Sequence, residues 1–258
     1  MRTSSVALSG RVALVTGGGR GVGRAVALGL AAAGARVAIL SRTAAELAAT
    51  VAAVEPPGRQ LLALPAAVDD PAAIRAALGV VVATFGAVEI LVNNAGVVWP
   101  LGPSASIDID EWEAALSVNV AAAARLTFLV LPAMLDCDWG RVVNVSSGIA
   151  ANPTGMLRGN AYATTKAALE AHTLNLAAEL AGTGVTVNVF RPGRVDTAMQ
   201  TWIRAQDPTR VGAELHARFV ASHQDGTLLT PEQSASFLIH RLGGEETGEI
   251  WEASGPVV

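Results

Sequence analysis

The chain has 258 residues, a net charge of −4 and an apolar fraction of 51%. This length suits one or two domains, and the many apolar residues support a large core. Lysine and arginine do not cluster, which argues against a nucleic-acid partner, because phosphates require grouped cations. The single cysteine, Cys137, cannot form an internal disulfide, and we therefore expect a reducing, cytoplasmic location.

Neither membrane attachment nor a metal site is expected. Residues 1–10 contain no apolar signal core. The most apolar stretch, 114–135, contains Asn119, Arg125 and Pro132, which a membrane span rarely carries near its centre. We interpret it as a buried or interface helix. Metal-ligand spacing is lacking around all the histidines, which are His172, His216, His223 and His240.

Strand and helix patterns alternate along the chain. Short apolar runs predict buried parallel strands at 12–16, 36–40, 61–64, 89–92, 141–145, 185–190 and 249–251. Helical patterns, two of them preceded by the capping residues Asp70 and Asp108, are predicted at 21–33, 44–54, 71–85, 108–135, 160–180 and 231–242. The second of these helices is expected to stop at Pro56-Pro57.

This alternation predicts an α/β fold with a parallel sheet, right-handed crossovers and helices on both faces. We expect a single domain over residues 1–258, because no repeat or linker interrupts the pattern. Residues 197–230 are polar and contain no strand pattern. Long irregular insertions of this kind often cover binding sites, so a substrate-binding lid is predicted at about 195–230.

A glycine-rich turn, from Thr16 to Gly23, connects the first strand to the first helix. Glycine lets the backbone approach a pyrophosphate, and the helix N-terminus offers free N–H groups. Glycines also serve ordinary tight turns, but the strand–turn–helix context favours a dinucleotide site. The predicted cofactor contacts in this turn are Gly17, Gly19, Arg20, Gly21, Val22 and Gly23.

The end of the second strand predicts which dinucleotide binds. An acidic residue there would hold the ribose 2′-hydroxyl of NAD, whereas Ser41 and Arg42 offer a hydroxyl and a forked cation suited to a 2′-phosphate. Arg20 is a candidate second cation. Both arginines can also be read as ordinary solvated surface residues, but the pattern favours NADP(H).

The chain has one tyrosine and one lysine, and they lie four residues apart. Tyr162 and Lys166 therefore share one face of a predicted helix. A phenol has a pKa of about 10, and a neighbouring ammonium lowers that pKa, which makes tyrosine a competent acid or base for an alcohol/ketone pair. Taken alone, such a pair is more often an ordinary surface feature.

Other polar residues follow strands whose carboxyl ends should share one sheet edge. Ser146 and Ser147 end the fifth strand, where a hydroxyl can hydrogen bond to a substrate oxygen, although serines also cap turns. Residues 93–96, Asn-Asn-Ala-Gly, follow the fourth strand. Asn119 lies within an apolar helix, where a buried amide needs partners, so it is either a structural residue or part of a proton path.

Together, these motifs resemble the short-chain dehydrogenase/reductase family over nearly the whole chain. The resemblance implies a Rossmann-type, doubly wound, seven-stranded parallel sheet in a three-layer α/β/α domain. It implies that Tyr162 is the general acid/base, that Lys166 lowers the tyrosine pKa and holds the nicotinamide ribose, and that Ser147 binds the reacting oxygen. Asn119 would hold a water molecule in a proton relay.

The resemblance also implies further cofactor contacts. Asn93 would stabilise the sheet and line the cofactor site, and Val195 and Thr197 would contact the nicotinamide carboxamide. The pair Ser41-Arg42 is similar to that of NADP-preferring members. The remaining implied contacts are Asn94, Ala95, Gly96, Tyr162, Lys166, Pro192 and Gly193.

The chain departs from the family pattern in three places. The loop before Tyr162 is slightly long, and Ser147 is chosen over Ser146 as the oxygen-binding serine. Ala67 replaces the acidic residue that contacts adenine, with Asp69 nearby. The C-terminus lacks the Gly-Gly pair of the usual oligomer contact. The two long helices still resemble the family's paired interface helices, and we expect a homodimer or homotetramer.

The leading hypothesis is an NADP(H)-dependent oxidoreductase that reduces a ketone or aldehyde, or catalyses the reverse. Enoyl reductases of the family place more residues between the tyrosine and the lysine, and a non-catalytic NADP-sensing regulator usually loses one of the two, so both alternatives are weaker. The small-molecule substrate and the direction stay open. A bulky, apolar substrate is expected if these loop and lid residues face the pocket: Trp99, Ile149, Met156, Leu157, Met199 and Trp202.

Overall fold

Seven parallel strands form one sheet in the computed structural model, which describes residues 8–54 and 60–253. Every predicted strand is present, and each begins and ends within one residue of its predicted bounds. The strands are β1 (Val12–Thr16), β2 (Arg36–Ser41), β3 (Leu61–Pro65), β4 (Ile90–Asn93), β5 (Gly140–Val145), β6 (Val185–Arg191) and β7 (Ile250–Glu252).

Helices alternate with the strands, and the predicted ones end within two residues of their predicted bounds. Pro56 and Pro57, which are predicted to stop the second helix, lie outside the described residues. The helices are α1 (Gly21–Ala32), α2 (Ala44–Ala52), α3 (Pro71–Phe85), α4 (Ile109–Leu116), α5 (Ala122–Asp136), α6 (Asn160–Glu179), α7 (Ala198–Arg204), α8 (Pro208–Val211), α9 (Ala213–Gln224) and α10 (Pro231–Leu242).

The sheet has helices on both faces. Leu30 of α1 and Leu238 of α10 pack in the core on one face. Ile74 of α3, Leu126 of α5 and Leu176 of α6 pack on the other. The predicted doubly wound, three-layer α/β/α fold is therefore confirmed, while the domain bounds 1–258 stay a prediction, because they include residues outside the described ranges.

The strand order β3-β2-β1-β4-β5-β6-β7 reverses direction between β1 and β4. Chain leaving β1 crosses one face of the sheet, and chain leaving β4 crosses the other. A crevice therefore opens beyond the carboxyl ends of these two strands, which is where ligands bind in open parallel sheets. The fold thus brings the glycine turn and the polar segments after β4, β5 and β6 to the same edge.

The helix starts follow from the capping residues. The Asp70 carboxylate accepts two backbone N–H groups of α3 at 2.8 and 3.0 Å, and the Asp108 carboxylate accepts the N–H of Asp110 at 2.9 Å. The helix predicted from 108 to 135 is not α-helical throughout, because a π-helical turn, Ser117–Ala121, joins α4 to α5. This wider turn carries Asn119.

The segment after Thr197 is helical, and the prediction of an irregular insertion there is wrong. Asp207 accepts the N–H of Thr209 at 2.8 Å, and Pro208 occupies the first position of α8. This Asp-Pro start signal is easily missed in a polar segment. The apolar residues that bury these short helices form a third cluster, which includes Val98, Leu101, Met156, Ile203, Val211, Leu215 and Phe219.

The helical stretch Ile109–Asp136 is long and apolar enough, with a mean hydropathy of 1.8, to span a membrane by length and composition. In the fold it packs on the sheet, where Leu126 and Met134 are fully buried. Phe128 and Leu135 on its outer side are exposed. The stretch is therefore a core helix that also presents apolar side chains outward.

Two glycine substitutions test how closely the glycine-rich turn, Thr16 to Gly23, packs against its neighbours. A methyl group on Gly23 would lie 2.3 Å from Nδ2 of Asn94 and 2.4 Å from the carbonyl oxygen of Gly17. We expect Gly23→Ala to lower the free energy of unfolding by about 1–3 kcal/mol through overpacking. Gly79→Ala, where a methyl group would meet nothing within 4 Å, should raise it by about 0.4–1 kcal/mol. Equal effects in chemical denaturation would contradict the packing described for the turn.

Candidate active site

A cleft of about 1140 Å³ occupies the crevice at the carboxyl ends of β1, β4, β5 and β6. The glycine turn forms one end, and helices α7 and α9 cover the other. Most residues predicted for the site line this cleft. The exceptions are Gly23, Asn93 and Asn119, which lie behind its wall, and Leu157, whose side chain is 69% exposed.

The glycine turn is held open by backbone geometry and by Asn94. Gly17 and Gly21 adopt positive φ angles of 67° and 56°, which favour glycine. The Asn94 side chain donates to the Thr16 carbonyl at 2.9 Å, and the Thr16 hydroxyl accepts the N–H of Asn94 at 3.0 Å. The first residue before α1, Arg20, makes no side-chain cap, so the first N–H groups of the helix are available to an anion.

The end of β2 contains an unsatisfied hydroxyl. The Oγ atom of Ser41 is buried and has no hydrogen-bond partner within the described ranges. A methyl group on Gly19 would lie 3.0 Å from this oxygen, so glycine keeps the space beside it open. The exposed Arg42 lines the cleft next to it. These features fit the 2′-side of an adenosine ribose, where a phosphate or hydroxyl would satisfy Ser41.

Glu46 lies at the same place and is absent from the sequence-based site. Its carboxylate is 3.2 Å from a guanidinium nitrogen of Arg20, and both residues line the cleft. Arg20, the second cation that the sequence suggests for a 2′-phosphate, is therefore paired with a carboxylate in this structure. Glu46 follows β2 by only five positions, but its side chain reaches the turn because α2 begins directly after the strand.

The lysine is buried beside the tyrosine. The Lys166 ammonium donates to the carbonyl of Val145 at 2.8 Å and lies 5.8 Å from the centroid of the Tyr162 ring. Burial lowers the pKa of Lys166 to about 8, and the Glu170 carboxylate acts in the opposite direction. Burial raises the pKa of Tyr162, opposed by a hydrogen bond with Ser147. The four-residue spacing to Lys166 predicts a lowered Tyr162 pKa, because it places an ammonium nearby. Burial has the opposite effect and is larger, so the pKa of Tyr162 is raised and this prediction is wrong.

The two serines after β5 have different surroundings. The Ser146 hydroxyl is buried and points to the Lys166 carbonyl at a long 3.5 Å. The Ser147 hydroxyl hydrogen bonds with Tyr162 and accepts the N–H of Ile149 at 3.3 Å. The structure therefore brings Ser147, rather than Ser146, to the phenol.

Asn119 fixes the loop after β4. Its side chain accepts the N–H of Val97 at 2.7 Å and donates to the Val97 carbonyl at 2.8 Å. It also donates to the Thr165 hydroxyl at 3.0 Å, which in turn donates to the Tyr162 carbonyl at 3.0 Å. The π-helical turn thus connects the cleft loop to the helix that carries the tyrosine.

Asn93 does not line the cofactor site, and that part of the expectation is wrong. It lies on the opposite side of the strand end, where it donates to Asn144 at 2.8 Å and to Thr127 at 3.1 Å. Asn144 donates to Thr173 at 2.9 Å. This buried network joins β4 and β5 to α5 and α6 behind the site, so Asn93 has only the structural half of its expected role.

A buried ion pair lies one helical turn beyond the lysine. Glu170 accepts two hydrogen bonds from Arg191, at 2.9 and 2.8 Å, and both side chains are nearly buried. Such bidentate geometry satisfies charges that burial would otherwise penalise. Sequence reasoning missed this pair, although the four-residue spacing of Glu170 from Lys166 is a usable signal. The pair anchors α6 to the end of β6, directly before residues 192–197.

Residues 192–197 run along the cleft from β6 to helix α7. Gly193 has a φ of 76°, and a methyl group there would lie 2.6 Å from the carbonyl oxygen of Ala253. Thr197 reaches the glycine turn, since its Cγ2 lies 3.3 Å from the Cβ position of Gly21. Pro192 and Val195 also line the cleft.

The side of the cleft beneath helices α7 and α9 is apolar. Ile149, Tyr162, Met199 and Phe219 pack against the third cluster, which leaves the phenol beneath a hydrophobic wall. Phe219 and Leu101 belong to this wall and are missing from the sequence-based pocket. The predicted pocket residues that line the cleft are Trp99, Ile149, Met156, Met199 and Trp202. Within the described residues, no three His, Cys, Asp or Glu side chains group as a metal site.

A parallel sheet with a dinucleotide-type turn and a partly buried tyrosine beside a buried lysine defines a class of nicotinamide-nucleotide-dependent oxidoreductases. The chain belongs to the short chain dehydrogenase family, whose family model matches residues 11–208. The family resemblance of the sequence is therefore confirmed. The protein is an oxidoreductase that acts on carbonyl or alcohol groups of small molecules with an NAD(P)(H) cofactor.

Similar proteins cover nearly the whole chain. The 3-oxoacyl-acyl-carrier-protein reductase FabG of Escherichia coli (strain K12) is 38% identical over 249 residues, which is 95% of this chain and 96% of that protein. The short-chain reductase protein NovJ of Streptomyces niveus is 35% identical over 265 residues, which is 98% of this chain and 96% of that protein.

Solved structures are similarly close in fold. The KRED1-Pglu enzyme has a TM-score of 0.85 and 31% identity, covering 93% of this chain and 99% of its own. L-sorbose reductase from Gluconobacter frateurii, in complex with NADPH and L-sorbose, has a TM-score of 0.84 and 25% identity, covering 96% of both chains. The 3-ketoacyl-acyl-carrier-protein reductase from Brucella melitensis, in complex with NADH, has a TM-score of 0.80 and 27% identity, covering 95% and 97%.

The ionisation of Tyr162 can be measured directly, because it is the only tyrosine in the chain. Since burial raises its pKa, the midpoint of the phenolate absorbance in the near ultraviolet should lie above that of an ordinary tyrosine, with circular dichroism used to check that the protein stays folded. Ser147→Ala should move the transition higher, because the hydrogen bond from Ser147 lowers the pKa. Ser146→Ala is the matched control and should leave it unchanged; a larger effect of Ser146→Ala would refute the assignment of the two serines.

Proposed function

We propose that this protein is an NADP(H)-dependent carbonyl reductase in which Tyr162 is the general acid. The observation that carries the proposal is the position of the only tyrosine: it hydrogen bonds with Ser147, lies beside the buried Lys166 and is covered by an apolar wall. Its raised pKa keeps the phenol protonated at neutral pH, as an acid that protonates a developing alkoxide requires.

The residues divide the chemistry between them. A substrate carbonyl oxygen placed between the hydroxyls of Ser147 and Tyr162 would accept two hydrogen bonds that strengthen as the oxygen gains charge. A nicotinamide nucleotide, when bound, supplies the hydride to the carbonyl carbon. Tyr162 then gives its proton to the oxygen, and the nearby Lys166 ammonium stabilises the phenolate that is left. In the oxidation direction, the same phenolate takes the proton from an alcohol.

Lys166 also has ammonium protons to spare. One is used on the Val145 carbonyl, and we infer that the others hold the nicotinamide ribose, because Lys166 also lines the cleft. We assign Val195 and Thr197 to the carboxamide, because they line the cleft between the glycine turn and the lid. Asn119 is a positioning residue, because it holds the backbone of Val97 and, through Thr165, the helix that carries Tyr162. We assign it the support of the predicted proton relay as well.

The preference for NADP(H) rests on the end of β2. Ser41 has an unsatisfied buried hydroxyl, and Arg42 offers a cation without a carboxylate at the strand end, where an acidic residue would select NAD. A 2′-phosphate that binds here would compete with the Glu46 carboxylate for Arg20. The Arg20–Glu46 pair therefore fits a site in which the cofactor phosphate replaces the carboxylate as the partner of Arg20. The similar structures contain NADPH in one case and NADH in another, so the preference depends on these side chains.

The proposal extends to assembly and location. We infer a homodimer or homotetramer that forms through α5 and α6. Phe128 on the outer face of α5 is exposed, and its ring contacts the ring of His172 on α6 edge-on, with 5.7 Å between the ring centroids. We also assign the substrate-binding lid, predicted at about 195–230, to helices α7–α9. The exposed thiol of Cys137 suits the reducing cytoplasm.

The acid role is tested by following NADPH oxidation with a panel of ketones and aldehydes. Tyr162→Phe should lower kcat/KM by about 100- to 10,000-fold while NADPH still binds, because only the proton donor is lost.

In the wild type, kcat/KM should be level below pH 8 and fall above it, since Lys166 loses its charge above its pKa of about 8. Retained turnover in Tyr162→Phe would exclude the phenol as the acid, and no turnover with any carbonyl would exclude the reductase.

The cofactor preference is tested with two single variants. Arg42→Ala should raise the KM for NADPH by about 10- to 100-fold, the worth of a charged hydrogen bond, and leave the KM for NADH unchanged. Glu46→Gln should lower the KM for NADPH, because it removes a negative charge and releases Arg20. A wild type that works faster with NADH, or equal effects of Arg42→Ala on both cofactors, would contradict the assignment.

A further inference from the structure

A second cavity of about 580 Å³ lies beside the cleft and has no role in the chemistry described above. The loop after β4, the first turns of α4 and the lid contribute its walls. This side cavity is lined by Trp99, Pro100, Leu101, Asp110, Glu111, Ala114, Trp202, Gln206 and Arg210.

The side cavity and the catalytic cleft share two walls. Trp99 and Trp202 line both spaces, so the two indoles form a partition between them. Leu101 lines the side cavity and belongs to the same apolar cluster that Tyr162 packs against. A molecule that binds with its carbonyl group at Tyr162 reaches this second space of ligand size only by passing beside these two indoles.

The walls of the side cavity are fixed by hydrogen bonds. Nε of Arg210 donates to the Leu101 carbonyl at 2.9 Å, and the Gln206 side chain donates to the Trp202 carbonyl at 3.0 Å. These two bonds fix the backbone at Leu101 and at Trp202, on two walls of the side cavity. The space is preorganised, which reduces the ordering cost that a ligand would otherwise meet.

Chemistry at the rim favours one kind of occupant. Indole faces and the side chains of Leu101 and Ala114 attract flat apolar groups. Asp110 and Glu111 line the same space, and neither forms an ion pair within residues 8–54 and 60–253. Arg210 lines the same space, but its guanidinium is engaged with the Leu101 carbonyl. A carboxylate entering here therefore meets two like charges against one cation, whereas an uncharged aromatic ring carries no charge to be repelled.

We propose that the side cavity is a specificity subsite that takes an uncharged aryl group at the far end of the ketone substrate. The inference rests on the proposed carbonyl reductase function and names its substrate class: ketones in which a short chain separates the carbonyl from an aromatic ring. Trp99 and Trp202 stack on the chain and ring, and Ala114 leaves the volume that the ring fills.

The test compares three ketones in the full-length protein with NADPH: 2-butanone, 4-phenylbutan-2-one and the analogue with a carboxylate on the ring. The wild type should favour the phenyl ketone over 2-butanone and disfavour the carboxylate. Ala114→Phe, which fills the side cavity, should lower the kcat/KM ratio of phenyl ketone to 2-butanone at least tenfold. Ala83→Phe, the same change at an exposed site on α3, is the control and should leave the ratio unchanged.

A second variant avoids any risk to packing. Glu111→Gln should raise kcat/KM for the carboxylate ketone several-fold and leave the other two ketones unaffected. An unchanged ratio in folded Ala114→Phe, no response to Glu111→Gln, or a change of oligomeric state in Ala114→Phe that points to a second copy in the cavity would each overturn the subsite.

A readout without turnover separates the subsite from the reaction. Quenching of tryptophan fluorescence by 4-phenylbutan-2-ol should be tighter in the wild type than in Ala114→Phe, because two tryptophans line the cavity. Equal quenching in both would refute the subsite. Quenching that differs as expected, together with no reduction of any ketone, would refute only the carbonyl reductase function.

Discussion

The reversal of strand order between β1 and β4 is the constraint on which the rest of the molecule depends. It sends the crossover helices to opposite faces and opens one crevice at the carboxyl ends of the central strands. Residues that are far apart in the chain, from Gly17 to Tyr162 and Thr197, meet only because all seven strands are parallel. A change that altered the order of β1 and β4 would separate the cofactor turn from the tyrosine.

The site places charge where the fold would otherwise bury apolar groups. Lys166, Glu170 and Arg191 are nearly buried, and each is held by specific hydrogen bonds. Burial is the reason why the Lys166 pKa falls to about 8 and why the Tyr162 pKa rises. The same desolvation that costs stability therefore keeps a protonated phenol beside a cation that titrates near neutral pH.

Much of the fold could be predicted from the sequence, because apolar runs mark buried strands and capping residues mark helix starts. α3 and α10 have their predicted bounds, since Asp70 and Thr230 precede a proline at the first helical position. The lid helices were missed because they are short and polar. The π-helical turn at Asn119 has no signal that distinguishes it from an ordinary α-helix.

Side-chain direction limited the prediction of the site. Asn93 and Asn94 are adjacent, yet one lies behind the sheet and the other braces the glycine turn, because successive side chains leave a strand on opposite sides. Glu46 was missed because its contact with Arg20 depends on how α2 follows β2. The direction of the Tyr162 pKa shift depends on burial, which the four-residue spacing to Lys166 does not report.

The central claim is that a carbonyl carbon receives a hydride in this cleft. The most direct measurement reduces a prochiral phenyl ketone with each of the two NADPH forms that carry deuterium on one face of C4, and analyses the alcohol by mass spectrometry and chiral chromatography. We predict that only one of the two forms transfers its deuterium, to the carbinol carbon of a single enantiomer. Transfer of deuterium from both forms, or from neither, would contradict the account.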